Sequence, residues 1–422
     1  MKYLFTKIMF IILLFPIMGY SQKIIDIDYC YTKAQEHYPL ASEYNIIALI
    51  RERNISNVNS SYLPQLELSS QLTYQSDVIG LPIEIPGLDI EKLNKEQYQI
   101  ALNINQSVWD GGFIKAKKSL LNSEYDVDKE RLNVRFYKLK AEINKYYFGA
   151  ILLKEQVHQN GILQKILNLN YKNIESYINT GFLEKSDLKK IEVEILKSEQ
   201  KEEELKKMQD SYCQILSILV GEKIAPTDSL CKPLITNPNV ELDINRPELK
   251  LFQREEDLIR NQKKIIIAKN RPNIGVFIQG AYGNPGLNLL KNESTPFFIA
   301  GIGLKWNIGN FYTLRNELRI NKSKQLQLNI QKDLFLLNTE LEIIKEDNDI
   351  KEISNKIQKN QEIIVLRKEI REITEDKLIN GMASVNDLIE TIISEESAIQ
   401  DKIISEINFL IYIYMRKQTI NY

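Results

Sequence analysis

The chain has 422 residues, enough for two or three ordinary domains or one large elongated one. Only 17 Gly and 12 Pro interrupt it, which favours long elements over many loops. Lys and Arg number 55 against 56 Asp and Glu, a balance that argues against a generic binder of nucleic acid or of anionic membranes.

The opening "MKYLFTKIMFIILLFPIMGYSQ" has a lysine-bearing start, an apolar run from Ile8 to Met18, and small residues at Gly19 and Ser21. This pattern predicts a secretory signal over 1–21, cleaved after Ser21. An uncleaved anchor would need about 20 apolar residues. No later stretch is apolar enough to cross a bilayer as a helix. Cys30, Cys213 and Cys231 are too few for a disulfide framework in an exported chain, and a Cys213–Cys231 bridge stays open.

From Ile24 to about Ser61 the pattern is helical, with a break at Pro39. In "LPQLELSSQLTYQSD", Leu66, Leu68, Leu72 and Tyr74 share one parity while Glu67, Ser69, Gln71 and Thr73 share the other, a strand with one apolar and one polar face. A loop over 75–97 comes next, and "YQIALNINQSVW" then alternates in the same way. After Gly112 the period changes. Leu132, Phe136, Leu139, Ile143, Tyr146, Ala150, Leu153 and Val157 form a heptad seam on a proline-free stretch that reaches Thr180. The chain turns at Gly181 and returns as a second helix, on which Leu205, Met208, Tyr212, Ile215 and Leu219 are the expected seam. A proline-bearing linker closes the first half.

The second half replays the first: helix over 248–270, strand "RPNIGVFIQGAYG", a shorter loop, strand "FFIAGIGLKWNIG", a long helix to about Ile379, a turn at Gly381, and a helix to about Arg416. Gly181 and Gly381 are 200 apart (381 − 181), as are Asp187 and Asp387 (387 − 187). The division is a signal over 1–21, a first repeat over 22–220, a linker over 221–247 and a second repeat over 248–422. Each copy is a whole structural half rather than a short tandem unit.

Each half offers two two-faced strands and two very long helices. Four strands cannot enclose an interior, since about eight are needed. An isolated sheet of that size would expose both edges and an apolar face. Three copies would supply twelve strands (3 × 4), closed, apolar outward to lipid and polar inward to water.

The order strand–loop–strand–helix–turn–helix, twice over, resembles the TolC-type outer-membrane efflux channels (the outer membrane factor family). "YLPQLELSSQLTY", "QSVWDGGFIKAKKS", "ILVGEKI" and the paired Gly…Asp-Leu turns carry the similarity through the whole mature chain. "WNIGNF" departs from it, lacking the family's paired glycines at the second strand exit. The resemblance implies a mainly α fold with a small β part: antiparallel helical hairpins forming an α-barrel, and four strands per chain joining a homotrimeric twelve-stranded barrel. It implies an outer-membrane location in a Gram-negative bacterium, with a tunnel into the periplasm. A periplasmic adaptor (membrane fusion) protein and an inner-membrane RND or ABC-type pump are the implied partners.

By the same resemblance, Gly181, Phe182 and Leu183, with Gly381, Met382 and Ala383, are the hairpin tips and the adaptor-docking surface. Asp387 and Glu390, six and nine beyond the second tip glycine, are candidate gate residues, with Asp187 beside them. "SVND" also reads as a capping box, which gives Asp387 a purely structural role to weigh against the gate. Trp109 and Trp306 fit a barrel rim, or ordinary packing at a strand–helix corner. His37 and His158 are the only histidines and have no neighbouring Cys, and there is no phosphate-cradling loop or nucleophile–base arrangement. Neither a cofactor nor an enzymatic activity is expected. The expected function is a passive duct of a tripartite efflux system. The rivals are the duct of a type I protein-secretion system and a secreted coiled-coil scaffold that never enters the membrane.

Overall fold

The structure is a computed structural model that describes residues 24–79, 92–179, 181–233 and 244–420. The signal expected over 1–21 lies outside these, as do residues 80–91 of the first loop and 234–243 of the linker. In chain order the elements are β1 (Ile24–Ile25), α1 (Ile27–His37), α2 (Leu40–Ser60), β2 (Gln65–Tyr74), β3 (Glu96–Trp109), α3 (Phe113–Asn179), α4 (Lys185–Val220), β4 (Ser229–Leu230), α5 (Pro247–Lys269), β5 (Asn273–Asn284), β6 (Thr295–Lys305), a 3-10 turn (Ile308–Asn310), α6 (Phe311–Ile379) and α7 (Val385–Ile420). The protein is mainly α, with a small β part.

Two compact units form. One takes Met1–Ala41, Phe136–Asn245 and Thr339–Tyr422 over their described residues; the other takes Ser42–Arg135 and Arg246–Asn338. Each unit draws on both sequence repeats.

The second of these holds the main sheet. Its strands run β2-β3-β5-β6, all antiparallel, so the two halves of the sequence meet where β3 pairs with β5. The helices that feed the strands keep the same order. Arg51 on α2 donates to Asn122 on α3 (2.8 Å), Asn261 on α5 donates to the Ser119 carbonyl on α3 (3.4 Å), and Asn321 on α6 donates to the Ile259 carbonyl on α5 (3.0 Å). Each strand exit is fixed by local chemistry. After β3, the Asp110 carboxylate accepts the N–H groups of Gly112 and Ile114, closing the start of α3. Gly111 and Gly112 have φ of +68° and +86°, and a Cβ at Gly111 would lie 2.6 Å from that of Arg271. The second exit does without the glycine pair. Its 3-10 turn is held instead by Asn310, which donates to the Lys269 carbonyl (3.2 Å).

The first unit is a helical assembly in which α3 from Phe136 pairs with α4 and α6 from Thr339 pairs with α7, each as a helical hairpin. The expected seam on α3 is largely buried, with Leu132, Phe136, Leu139, Ile143, Ala150 and Leu153 all inside. The seam expected on α4 needs correction. Met208 is 48% exposed, and the buried stripe is Ile191, Ser198, Leu205, Gln209, Cys213, Leu216 and Val220. Helix α4 packs against both α1 and α7, which rotates its buried stripe off the single-partner seam and admits two polar residues to it. Tyr212 instead meets Tyr146 edge-on, with centroids 5.4 Å apart, and occupies the space above Gly149.

A two-stranded parallel pair, β1 with β4, joins the start of the described chain to the linker. The Tyr147 hydroxyl, buried on α3, lies 2.9 Å from the Ile25 carbonyl and 2.7 Å from that of Cys231. Cys30, Cys213 and Cys231 are all free thiols, so the Cys213–Cys231 bridge left open by the sequence is not formed.

Candidate functional site

The two turns 200 residues apart are built alike. At the end of α3, the Gly181 N–H donates to the Ile178 carbonyl and the Phe182 N–H to that of Tyr177, both at 2.9 Å. At the end of α6, Gly381 donates to Leu378 (3.0 Å) and Met382 to Lys377 (2.8 Å). This pair of bonds around a left-handed residue is the Schellman closure, and the φ values of +79° at Gly181 and +71° at Gly381 explain the glycines. In the first turn the apolar contact that often accompanies the motif is Tyr177 against Phe182, with centroids 6.2 Å apart.

After each turn an aspartate secures the start of the next helix. The Ser384 N–H and hydroxyl both donate to the Asp387 carboxylate at 2.8 Å, and Ser384 Oγ accepts the Asp387 N–H at 3.2 Å. These bonds hold the Asp387 carboxyl below the usual range, the Ser384 backbone N–H being the larger cause. In the first turn, Glu184 N–H donates to Asp187 (3.3 Å), and Asp187 also pairs with Lys190 (2.9 Å). Asp187 and Asp387 therefore both cap helices. Glu390, on α7, is exposed.

The two turns are brought together. Leu163, Leu167, Ile174 and Ile191 of the first hairpin share one apolar cluster with Leu378, Val385, Leu388 and Ile392 of the second, and Leu183 and Ala383 pack onto it. A Cβ at Gly381 would lie 3.3 Å from the Phe182 ring. Phe182 remains half-exposed and Met382 largely exposed. Farther from the turns, Asn160 and Asn360, again 200 apart (360 − 160), are buried. They donate across their hairpins to the Ser198 carbonyl (2.9 Å) and to Ser405 Oγ (3.2 Å). Sequence reasoning passed over these asparagines, although the offset that picked out the glycines also relates them.

The sheet has a distinct surface chemistry. Across one face Leu66 lies opposite Ile104, Ile104 opposite Ile278, and Ile278 opposite Ala300; Leu68 lies opposite Leu102 and Val276 opposite Ile302. On the outer strands this face is open to the surroundings, with Leu72 80% and Ile302 79% exposed. The opposite face carries Glu67 opposite Asn103, Asn103 opposite Gln279, and Gln71 opposite Gln99, with Phe297 and Ile299 on β6. There Phe277 covers Gly301, 3.0 Å from where a Cβ would stand. Among the described residues β2 and β6 each pair on one side only.

Trp109 and Trp306 sit at one end of the sheet, half-exposed. Trp109 falls opposite Ile274 after a register shift, while Trp306 donates from Nε1 to the Asn270 carbonyl (3.1 Å) and meets Phe311 edge-on. No helix among the described residues is long and apolar enough to cross a membrane. Among the same residues no group of His, Cys, Asp and Glu is placed to hold a metal ion.

Solved structures share this fold. The outer membrane protein VceC from Vibrio cholerae superposes with a TM-score of 0.68 at 13% identity, covering 93% of this chain and 95% of that one. The fold is that of the TolC-type outer-membrane channels. The Campylobacter jejuni CmeC outer membrane channel gives a TM-score of 0.66 at 13% identity over 93% of this chain and 85% of its own. The open state of the Neisseria gonorrhoeae MtrE outer membrane channel gives 0.66 at 12% identity over 93% and 88%. No protein-family model and no curated protein matches the sequence. The resemblance to the TolC-type channels, first carried by short motifs, thus extends over the fold.

Proposed function

We propose that this chain is one third of a passive outer-membrane duct, a homotrimer that conducts solutes from the periplasm to the exterior and carries out no enzymatic reaction. The observation that carries this reading is the four-stranded sheet, apolar and exposed on one face, polar across β2 and β3 on the other, and unpaired at both outer strands among the described residues. Three copies joined edge to edge would satisfy both edges and turn the apolar faces to lipid. A second feature supports the same partner. On α6, Ile330, Leu334, Leu337, Leu341 and Ile344 recur at heptad spacing and each is more than half exposed, whereas the corresponding kind of seam on α3 is buried within the chain.

Within this reading the paired turns are the periplasmic tips. Gly181, Phe182, Leu183, Gly381, Met382 and Ala383 form the surface offered to an adaptor protein, which links the duct to an inner-membrane pump of RND or ABC type. Glu390 supplies the acidic ring at the mouth, with Asp387 beside it as both cap and charge. The two repeats, 22–220 and 248–422, descend from one duplicated half joined by the linker over 221–247.

Membrane fractionation and chemical cross-linking test the proposal. Recovery with the outer membrane, as a cross-linked trimer that migrates differently before and after heating in detergent, is the expected result. A monomer soluble in the periplasm overturns it and favours the scaffold.

A further inference from the structure

The chain is nearly neutral as a whole, yet its charge is segregated along the sheet. The start of β2, the end of β3, the start of β5 and the end of β6 lie at one end, as the pairings Gln65 with Asn105, Trp109 with Ile274 and Asn273 with Lys305 require. The four chain segments adjoining that end, 54–64, 110–123, 261–272 and 305–316, contain one acidic residue, Asp110. Its two carboxylate oxygens are taken up by the backbone of Gly112 and Ile114. The same segments carry nine basic residues; the six nearest the strand ends, Lys115, Lys117, Lys118, Lys269, Arg271 and Lys305, make no ion pair among the described residues, Arg271 donating to the Gly111 carbonyl (3.2 Å).

Unpaired cations beside an apolar, exposed surface have a specific use. Long basic side chains lay their methylenes along apolar groups and hold the charge at a polar boundary. The Lys118 ammonium sits 5.3 Å from the centre of the Tyr62 ring, and Trp109 and Trp306 flank the same end, aromatics of the kind that settle at a membrane interface. A basic and aromatic band bordering an apolar face matches a leaflet whose headgroups are negatively charged.

We propose that the helix-side rim of the sheet, through Lys115, Lys117, Lys118, Lys269, Arg271 and Lys305, binds the headgroups of anionic phospholipids in the periplasmic leaflet. This rests on the reading that the sheet inserts in a membrane. The binding fixes the depth at which this rim meets the leaflet.

The full-length protein, purified in detergent, is presented to vesicles of phosphatidylcholine alone and of phosphatidylcholine with phosphatidylglycerol, and the co-floating fraction is measured at low and high salt. Preference for the phosphatidylglycerol vesicles is expected, falling about fivefold for each lysine removed and shrinking at high salt. The variant K115Q/K117Q/K118Q loses the preference, and K115R/K117R/K118R keeps it. Equal affinity for both lipids, an unchanged preference in the Gln variant, or loss in the Arg variant overturns the proposal while leaving the duct intact. So does equal competition by soluble polyglutamate, which reassigns the rim to an acidic protein partner. Failure to associate with either vesicle overturns the duct reading as well.

Discussion

Phe182, just past the first turn, lies against Gly381 at the centre of the second, so close that a Cβ on the glycine would come within 3.3 Å of the ring. Gly181 has an equally left-handed backbone but open space where its side chain would go. The two glycines therefore separate a backbone effect from a packing effect. Gly181→Ala should cost about 1–2 kcal/mol, the penalty of a left-handed alanine. Gly381→Ala should cost more, because the ring must also move. Pairing Gly381→Ala with Phe182→Ala should bring the increment back toward the Gly181→Ala value, since the obstruction is gone. Thermal unfolding midpoints of these three variants and of Phe182→Ala alone check this, and equal losses at both glycines would show that the ring gives way freely.

The cluster beneath that contact is the main apolar tie between the hairpins at their turns. Leu388 is buried in it beside Ile392 and Val385. Leu388→Ala should destabilise the protein by roughly 2–5 kcal/mol, the usual range for a leucine deletion in a packed interior. Limited proteolysis at the turns would report the loss locally, with cleavage appearing before global unfolding. Turns as resistant as wild type would mean that the tie lies elsewhere.

Asp387 gives a pH signature. Its carboxyl is held below the usual range by the Ser384 N–H and hydroxyl, so the capping contribution is fully present above the unfolded carboxylate value and is lost as pH falls through the lower folded one. Acid denaturation should therefore begin at higher pH in Ser384→Ala than in the parent. The same substitution leaves Glu390 untouched. If Glu390 carries the charge at the mouth, Glu390→Gln should weaken block by divalent cations in planar-bilayer recordings, while Ser384→Ala affects stability alone. Equal block in Glu390→Gln and parent channels would remove the gate role.

Much of this arrangement is legible in the sequence because long elements repeat their signal. The α3 seam keeps its period over many residues, and β2 and β3 alternate because one side is apolar and the other polar. Both turn glycines stand out because a long helix must end on a residue that tolerates the left-handed region. The choice of inward residues on a polar helix is harder to read. On α4, Met208 and Leu219 look like core, yet Gln209 and Cys213 are the buried residues, where the helix meets both α1 and α7. Contacts between distant turns are equally silent: nothing local to Phe182 announces Gly381. The short β1–β4 pair is missed for a related reason, since two residues are too few to show a period.

A buried carboxyl on α6 predicts the opposite pH behaviour. Glu346 is almost fully enclosed, accepts a hydrogen bond from Thr419 Oγ1 at 2.8 Å, and leaves its second oxygen without a partner. Burial pushes its carboxyl up to about 7, with Glu342 and Asp347 adding to the rise while the Thr419 bond and Arg416 oppose it. An acid whose folded value lies above its unfolded one binds its proton more tightly when folded. Its effect is absent at low pH, where both states are neutral, and stability is lost as pH climbs from the unfolded value of about 4.3 toward 7. Glu346→Gln keeps an acceptor for Thr419 and cannot ionise. Its unfolding midpoint should match the parent below about pH 4.3 and exceed it at neutral and alkaline pH, with the difference opening across that window. A parent midpoint that stays level through the window would place the ionised carboxylate comfortably in the fold.

The α6 seam yields the most direct test of assembly. Leu334, Leu337 and Leu341 are each more than half exposed in the single chain, and they lie on the helix face that the proposed trimer would cover. A charge placed there costs little in an isolated chain but is desolvated and unpaired in a close helix–helix contact. Leu337→Glu should therefore leave the helical content of the monomer unchanged and abolish the cross-linked trimer. Leu132→Glu, aimed at the buried seam of α3, should instead unfold the chain itself. Analytical ultracentrifugation in detergent with circular dichroism distinguishes the two. A trimer that survives Leu337→Glu would mean that the copies meet through some other face.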